Sequence, residues 1–307
     1  MRLFPSDRYE LPLPPGHSFP LAKYRLLRER LEGLGTGFSF HEPQAASRSS
    51  LGRVHDAAYL ERVFTGTLTP AEVRRIGFPW SVQLVERSRR STGAAVDASR
   101  AAMSDGLAAS LAGGTHHAGI AFGEGYCVFN DTAVAVRELQ AAGLIRRAAI
   151  LDLDVHQGNG TADIFTGDDT VFTVSVHGGR NFPLRKVASS LDIPLEDGTA
   201  DEPYLEAVDQ ATRAAVHAGQ PDLVLYIAGA DPYEGDRLGR LAVSAAGLLE
   251  RDRIVFDAAQ RAGIPVAVVL GGGYCQDVEQ TVAIHAATML EAARRLTQPT
   301  PADPSRG

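Results

Sequence analysis

Cysteine is scarce in this chain, with only Cys127 and Cys275 among 307 residues. Two thiols cannot build a disulfide framework, and neither sits in a paired CxxC ligand motif, so a reducing compartment is expected. Long apolar runs are missing as well: no stretch reaches eighteen apolar residues, so neither a membrane span nor a membrane partner is expected. The opening MRLFPSDRYELPLPPGHSFP lacks a charged region followed by an apolar stretch, which points to the cytoplasm. Basic charge is in deficit, with 30 Lys plus Arg against 37 Asp plus Glu and a net charge of −7. No basic block is present to neutralise a row of phosphates, so direct nucleic-acid binding is not expected. Repeats and low-complexity linkers are absent too, leaving one compact domain over 1–296 and a flexible Pro-rich tail over 297–307 as the expected organisation.

What is present is an alternation. Proline crowds residues 5–20, so the entry reads as an irregular extended segment, followed by an amphipathic helix over 21–34. Ala, Leu, Glu and Arg at helical spacing predict further helices over 81–104, 131–142, 203–218, 243–262 and 277–295. Short apolar runs lie between them at 107–113, 148–154, 170–176, 222–229 and 264–272. Continuously apolar strands alternating with helices predict a single-domain, three-layer α/β fold, a parallel sheet with helices on both faces.

Ligands of such sheets bind beyond the carboxyl ends of the strands. There the chain carries GGTHHA (113–118), DLDVHQGNG (152–160), AGAD (228–231) and GGGY (271–274). Four strands thus deliver histidines, aspartates or a tyrosine to one edge, with glycines that let the backbone turn tightly. If the strand continues through DLDVH, then Asp152, Asp154 and His156 share one face and can look toward one ion. A catalytic zinc site uses three nitrogen or oxygen ligands and keeps one position open, which Asp154, His156 and Asp231 would provide. Their two carboxylates offset the charge of a divalent cation.

The adjacent His116 and His117, on a turn, can both reach a common substrate, and imidazole suits proton transfer near neutral pH. Each ring needs a partner on its far side to fix its tautomer, and Asp152 and Asn159 are the candidates. A carboxylate favours a protonated ring whereas an amide does not, so the Asn-paired ring is expected to stay neutral and act as base. Tyr274, after three glycines, can swing its hydroxyl toward a developing oxyanion.

In this order the motifs GGTHHA, DLDVHQGNG, GADPYEGDRLG and GGGY resemble the zinc-dependent histone deacetylase family, with its arginase/deacetylase-like fold, from about residue 15 to residue 290. HQGNG and AGADPYEGDRLG look most like the class IV branch and its bacterial relatives. The resemblance implies a hydrolase that removes an acetyl or longer acyl group from an amine, most readily acyl-lysine on a protein or small molecule. It implies one Zn²⁺ on Asp154, His156 and Asp231, with His116, His117, Asp152, Asn159 and Tyr274 as catalytic residues. Gly125 then matches the glycine whose carbonyl receives the substrate amide N–H, and Tyr126 and Phe182 the walls of the acyl tunnel. A structural K⁺ on Asp152, Asp154, Ser175 and the carbonyls of His156 and Val176 is also implied. Three positions depart from the family pattern. Asn159 replaces a common aspartate, Tyr126 replaces a phenylalanine, and HGGRNFPLRK is shorter than the glycine-rich loop of many relatives. Related chemistries weighed beside this one are acetylpolyamine hydrolysis, the acetoin-utilisation type of deacetylase, a two-manganese ureohydrolase and a non-catalytic acyl-binding scaffold.

Overall fold

Apolar runs bounded by turn residues become strands, and their place in the sheet sets how much of each is buried. A computed structural model describes residues 1–9, 11–35, 37–218 and 220–297, so the expected tail lies, beyond Thr297, outside the described residues. The strands are β1 (Arg2–Phe4), β2 (Ser39–Phe40), β3 (Leu107–Ser110), β4 (Ala148–Asp152), β5 (Val171–Gly178), β6 (Leu191–Leu195), β7 (Leu223–Ala228) and β8 (Val266–Leu270). They pair in parallel throughout, in the order β2-β1-β3-β8-β7-β4-β5-β6.

Side chains alternate across the sheet, and the two faces feed two cores. Ile150, Leu225, Ile227, Ala267 and Val269 point into one, beneath the helices Ala57–Thr65, Val82–Asp105 and Asp131–Ala141. Ala149, Leu151, Val224, Tyr226, Val266 and Val268 point into the other, beneath Ala22–Gly33, Asp201–His217, Ala245–Ala262 and Val278–Thr297. Apolar on both faces, the central strands have no amphipathic alternation, as burial under two helical layers requires.

Three differences from the sequence reading have physical causes. Ahead of the proline-rich entry lies β1, three residues long and halted at Pro5, where no N–H remains to extend the ladder. β6 (LDIPL) carries Pro194 and is only half-buried, which an edge strand tolerates and a central one does not. The short helix Pro70–Ile76 has a capping box, in which Thr69 Oγ1 accepts from the Glu72 N–H while Glu72 accepts from the Thr69 N–H.

Candidate active site

The four adjacent strands β3, β8, β7 and β4 at the sheet centre end in the polar segments named above, so their loops converge over one edge. β4 does not continue through DLDVH. It stops at Asp152, and Asp154 and His156 lie on the bend that follows. Strand alternation is therefore not what aligns them. The bend is held by its own carboxylates: Asp152 Oδ1 accepts the Asp154 N–H at 3.1 Å, and Asp154 Oδ1 accepts the His156 N–H at 2.9 Å.

Asp231, after β7, is fully buried and accepts the Val155 N–H at 3.0 Å. Its other oxygen lies 3.1 Å from His156 Nδ1, which is also 3.0 Å from Asp154 Oδ1. Donor atoms of Asp154, His156 and Asp231 all lie within 4.8 Å of one another. Zinc bonds of about 2.0 Å in a tetrahedron set neighbouring donors roughly 3.3 Å apart, so this spacing and donor chemistry fit a divalent ion. The electrostatics fit as well. Burial and the charge on Asp154 push the Asp231 carboxyl up to about 7. Burial disfavours a charged His156, yet the two aspartates outweigh it and raise the ring to about 10. Two buried carboxylates side by side need a cation between them.

Gly271 and Gly272, after β8, are glycines because this cluster leaves no space. A Cβ on Gly272 would sit 1.8 Å from Asp231 Oδ2, while its N–H donates to Asp154 Oδ2 at 2.6 Å. Beyond them, Tyr274 is clamped at both ends of its backbone. Its N–H donates to Asp236 Oδ2 at 2.5 Å, and its carbonyl accepts from Arg237 Nε at 2.8 Å. Burial and the nearby Asp231 and Asp154 keep its phenol well above the ordinary range, hence protonated. Behind the loop, buried Lys23 lies 3.3 Å from the Gly273 carbonyl and 5.2 Å from the Tyr274 ring centroid.

His116 and His117 follow β3 with ring centroids 4.1 Å apart, yet their partners differ. His116 Nδ1 meets Asp152 Oδ2 at 2.6 Å. Burial works against a charged ring there, but Asp152 and Asp154 raise its pKa to about 9. His117 Nδ1 meets Asn159 Oδ1 at 2.7 Å, and burial together with His116 and His156 holds it well below the usual histidine range. Asp152 thus favours a charged ring at His116, whereas its sequence neighbour His117 is held neutral. Asn159 in turn donates from Nδ2 to Glu124 Oε1 at 2.5 Å, and Arg75 Nε donates to Glu124 Oε2 at 2.7 Å.

A narrow inner cavity of about 90 Å³ touches Asp154, His156, both histidines, Gly125, Tyr126, Lys23 and Tyr274. It meets a wider mouth of about 620 Å³ that Gly125, Tyr126 and Tyr274 also line, together with Phe182. The Phe182 ring stands edge-on to His117 at 4.9 Å. Tyr126 leans on Phe78 and Phe19 at 5.1 Å each, with its hydroxyl 2.8 Å from Ser18 Oγ. Tyr126 has φ 67°, a left-handed conformation costing a non-glycine residue roughly 1–2 kcal/mol, and such strain is concentrated at functional sites. Gly125 must be glycine, because it has φ +57° and a Cβ there would lie 2.7 Å from His117 Cδ2. Its carbonyl has the Cys127 thiol at 3.4 Å. Asp152 and Ser175 are register partners on β4 and β5, and Ser175 Oγ bonds His177 Nδ1 at 2.9 Å.

Sequence reasoning missed Lys23, Glu124, Asp236 and Arg237. The last two stand inside GADPYEGDRLG, where the motif was visible though not what it holds; Lys23 lies on the first helix, far along the chain, with no local signal.

Known proteins share the family and the fold. The Histone deacetylase domain family matches residues 17–290. An uncharacterized protein of Picosynechococcus is 43% identical over 94% of this chain and 96% of its own. The histone deacetylase-like amidohydrolase of Pseudomonas aeruginosa is 30% identical over 86% of this chain and 74% of its own. In fold, the acetylpolyamine aminohydrolase of Burkholderia pseudomallei superposes with a TM-score of 0.78 at 21% identity, over 95% of this chain and 98% of that one. With a parallel sheet whose central strand ends gather a buried Asp-His-Asp cluster and two histidines, the chain belongs to the histone deacetylase family of amide-bond hydrolases.

Proposed function

We propose that the protein removes an acyl group from the side-chain amine of lysine, with one Zn²⁺ held by Asp154, His156 and Asp231. The reading is carried by the convergence of those three ligand groups, with Asp154, His156 and two unequally partnered histidines lining one narrow cavity and Asp231 buried against His156. Zinc bound there would polarise the amide carbonyl and acidify water. The chain's own residues do the rest. His117, neutral and with Nδ1 turned to Asn159, presents Nε2 to take a proton from the attacking water. Tyr274, protonated and clamped by Asp236 and Arg237, donates its hydroxyl to the oxygen that gains charge. Gly125 offers its carbonyl to the substrate amide N–H, Tyr126 and Phe182 flank the acyl-lysine stem, and His117 or His116 returns a proton to the departing amine.

Among the described residues one such three-ligand cluster is present, which favours one ion over the paired ions of a ureohydrolase. A structural K⁺ beside it, on Asp152, Asp154, Ser175 and the carbonyls of His156 and Val176, is supported by the register that sets Asp152 opposite Ser175. Class IV character rests on HQGNG and AGADPYEGDRLG. A cytoplasmic setting is consistent with two buried, unpaired thiols. Among the described residues no helix is long and apolar enough to cross a membrane.

The test is a ladder of acyl chain lengths on a lysine peptide, assayed with metal-stripped and zinc-reloaded protein. Zinc-dependent release of one amine and one carboxylic acid per event is expected. Silence on every acyl-lysine, with turnover of acetylated polyamine, would replace lysine with polyamine as the substrate.

A further inference from the structure

The chain carries a net charge of −7, yet its substrate mouth is cationic. Arg74, Arg75, Arg180 and Arg240 line that cavity, and Glu124 is the single carboxylate residue that does. Glu124 is committed to Arg75 at 2.7 Å. Arg180 and Arg240 share one carboxylate outside the lining, Asp197, at 3.8 and 3.2 Å. Arg74 is exposed and has no carboxylate partner among the described residues. Arg237, also exposed, donates to the Tyr274 carbonyl and has no carboxylate partner among the described residues. The same rim exposes Phe182 (41%) and Leu238 (47%), apolar surface suited to side chains on either side of a lysine.

We propose that this mouth selects acyl-lysine in an acidic setting, with carboxylates close to the modified residue, and disfavours acetylated polyamines, whose remaining amines are cationic. The proposal rests on the acyl-lysine reading above. Fixed positive charge around a concave site attracts anions before contact, an effect that salt screens.

The test compares kcat/KM for acetyl-lysine peptides flanked by Glu, Gly or Lys, for free Nε-acetyl-lysine with its own carboxylate, and for N-acetylputrescine, at low and high salt. About a tenfold preference for Glu over Lys flanks is expected at low salt, shrinking at high salt. The Arg74→Glu/Arg180→Glu variant should erase or invert that ratio. Equal or better turnover of Lys-flanked peptide, or an unaltered ratio in the variant, overturns the proposal. Preference confined to the Glu peptide places the carboxylates on neighbouring residues, whereas a matching preference for free Nε-acetyl-lysine places one on the lysine itself. Silence on every acylated amine removes the underlying reading and this proposal with it.

A second observation stands apart from the rim. An amide can turn either end to a neighbour, and only an oxygen facing His117 makes its Nδ1 the donor and leaves Nε2 free to accept. A carboxylate has nothing to donate, so Glu124 Oε1 must face Asn159 Nδ2, as it does at 2.5 Å. That fixes Asn159 Oδ1 toward His117, while Arg75 fixes Glu124. The geometry points to Glu124 as a positioning residue that sets the His117 tautomer through Asn159.

Glu124→Gln should lower kcat about tenfold with little change in KM, and ¹⁵N shifts of the His117 ring should show mixed tautomers in place of one. In an Asn159→Asp background the sign reverses: Glu124→Gln should raise kcat, since it removes a facing like charge. A single unaltered tautomer in Glu124→Gln, or an equal loss in both backgrounds, overturns the assignment. Metal content and thermal melting, measured in parallel, separate misfolding from mispositioning.

Discussion

The floor and the mouth of the cavity are built on opposite rules. At the floor, Asp154, His156 and Asp231 are buried, spaced by backbone hydrogen bonds and crowded so tightly that Gly272 has no room for a Cβ. At the mouth, arginines stand in solvent on loops and on the helix Pro70–Ile76, and Phe182 and Leu238 are partly bare. Low dielectric makes each charge at the floor strong and each misplacement costly, whereas water and salt weaken those at the rim. The floor therefore fixes the reaction, and the mouth adjusts which amine reaches it.

Substitutions should separate the two in order of size. Asp231→Ala should abolish metal binding and lower turnover by at least about a thousandfold, because it removes a ligand and leaves Asp154 beside an unfilled space. Metal analysis and kinetics check this, and retained metal with full turnover would refute it. Tyr274→Phe should reduce kcat by about 10²–10³ with metal content unchanged, the usual cost of one oxyanion donor. Unchanged kcat would take Tyr274 out of the scheme.

Asn159→Asp should act on pH dependence. His117 works unprotonated, so activity falls as pH drops through its pKa, which burial and its neighbours hold well below the usual value. A carboxylate in place of the amide raises that pKa, so the acid limb of kcat/KM should move to higher pH. Superimposable profiles would contradict the assignment of His117 as base. Smallest is Phe182→Ala at the mouth, expected to raise KM about fivefold, in line with roughly 1 kcal/mol of partial apolar contact, with kcat nearly constant. A large fall in kcat there would blur the division between floor and mouth.

How far the sequence could be read follows the same division. The central strands were legible because burial on both faces leaves them continuously apolar. The short β1, cut off at Pro5, and the edge strand β6, with its internal proline and half-exposure, were not, since these features erase that signal. Residues at central strand ends could be picked out because aspartate and histidine are conspicuous after apolar runs. Their alignment was read for the wrong reason: a bend held by Asp152 and Asp154, and not strand alternation, brings Asp154 and His156 round. The supports Lys23, Glu124, Asp236 and Arg237 act through contacts with segments distant in the chain, and nothing local marks such contacts.

The most direct measurement of the central claim is a zinc titration of metal-stripped protein followed by acetyl-lysine turnover at each step. Turnover should rise linearly and saturate at one equivalent per chain, with Asp231→Ala flat throughout. Full turnover before any metal is added, or saturation only at two equivalents, would contradict the claim.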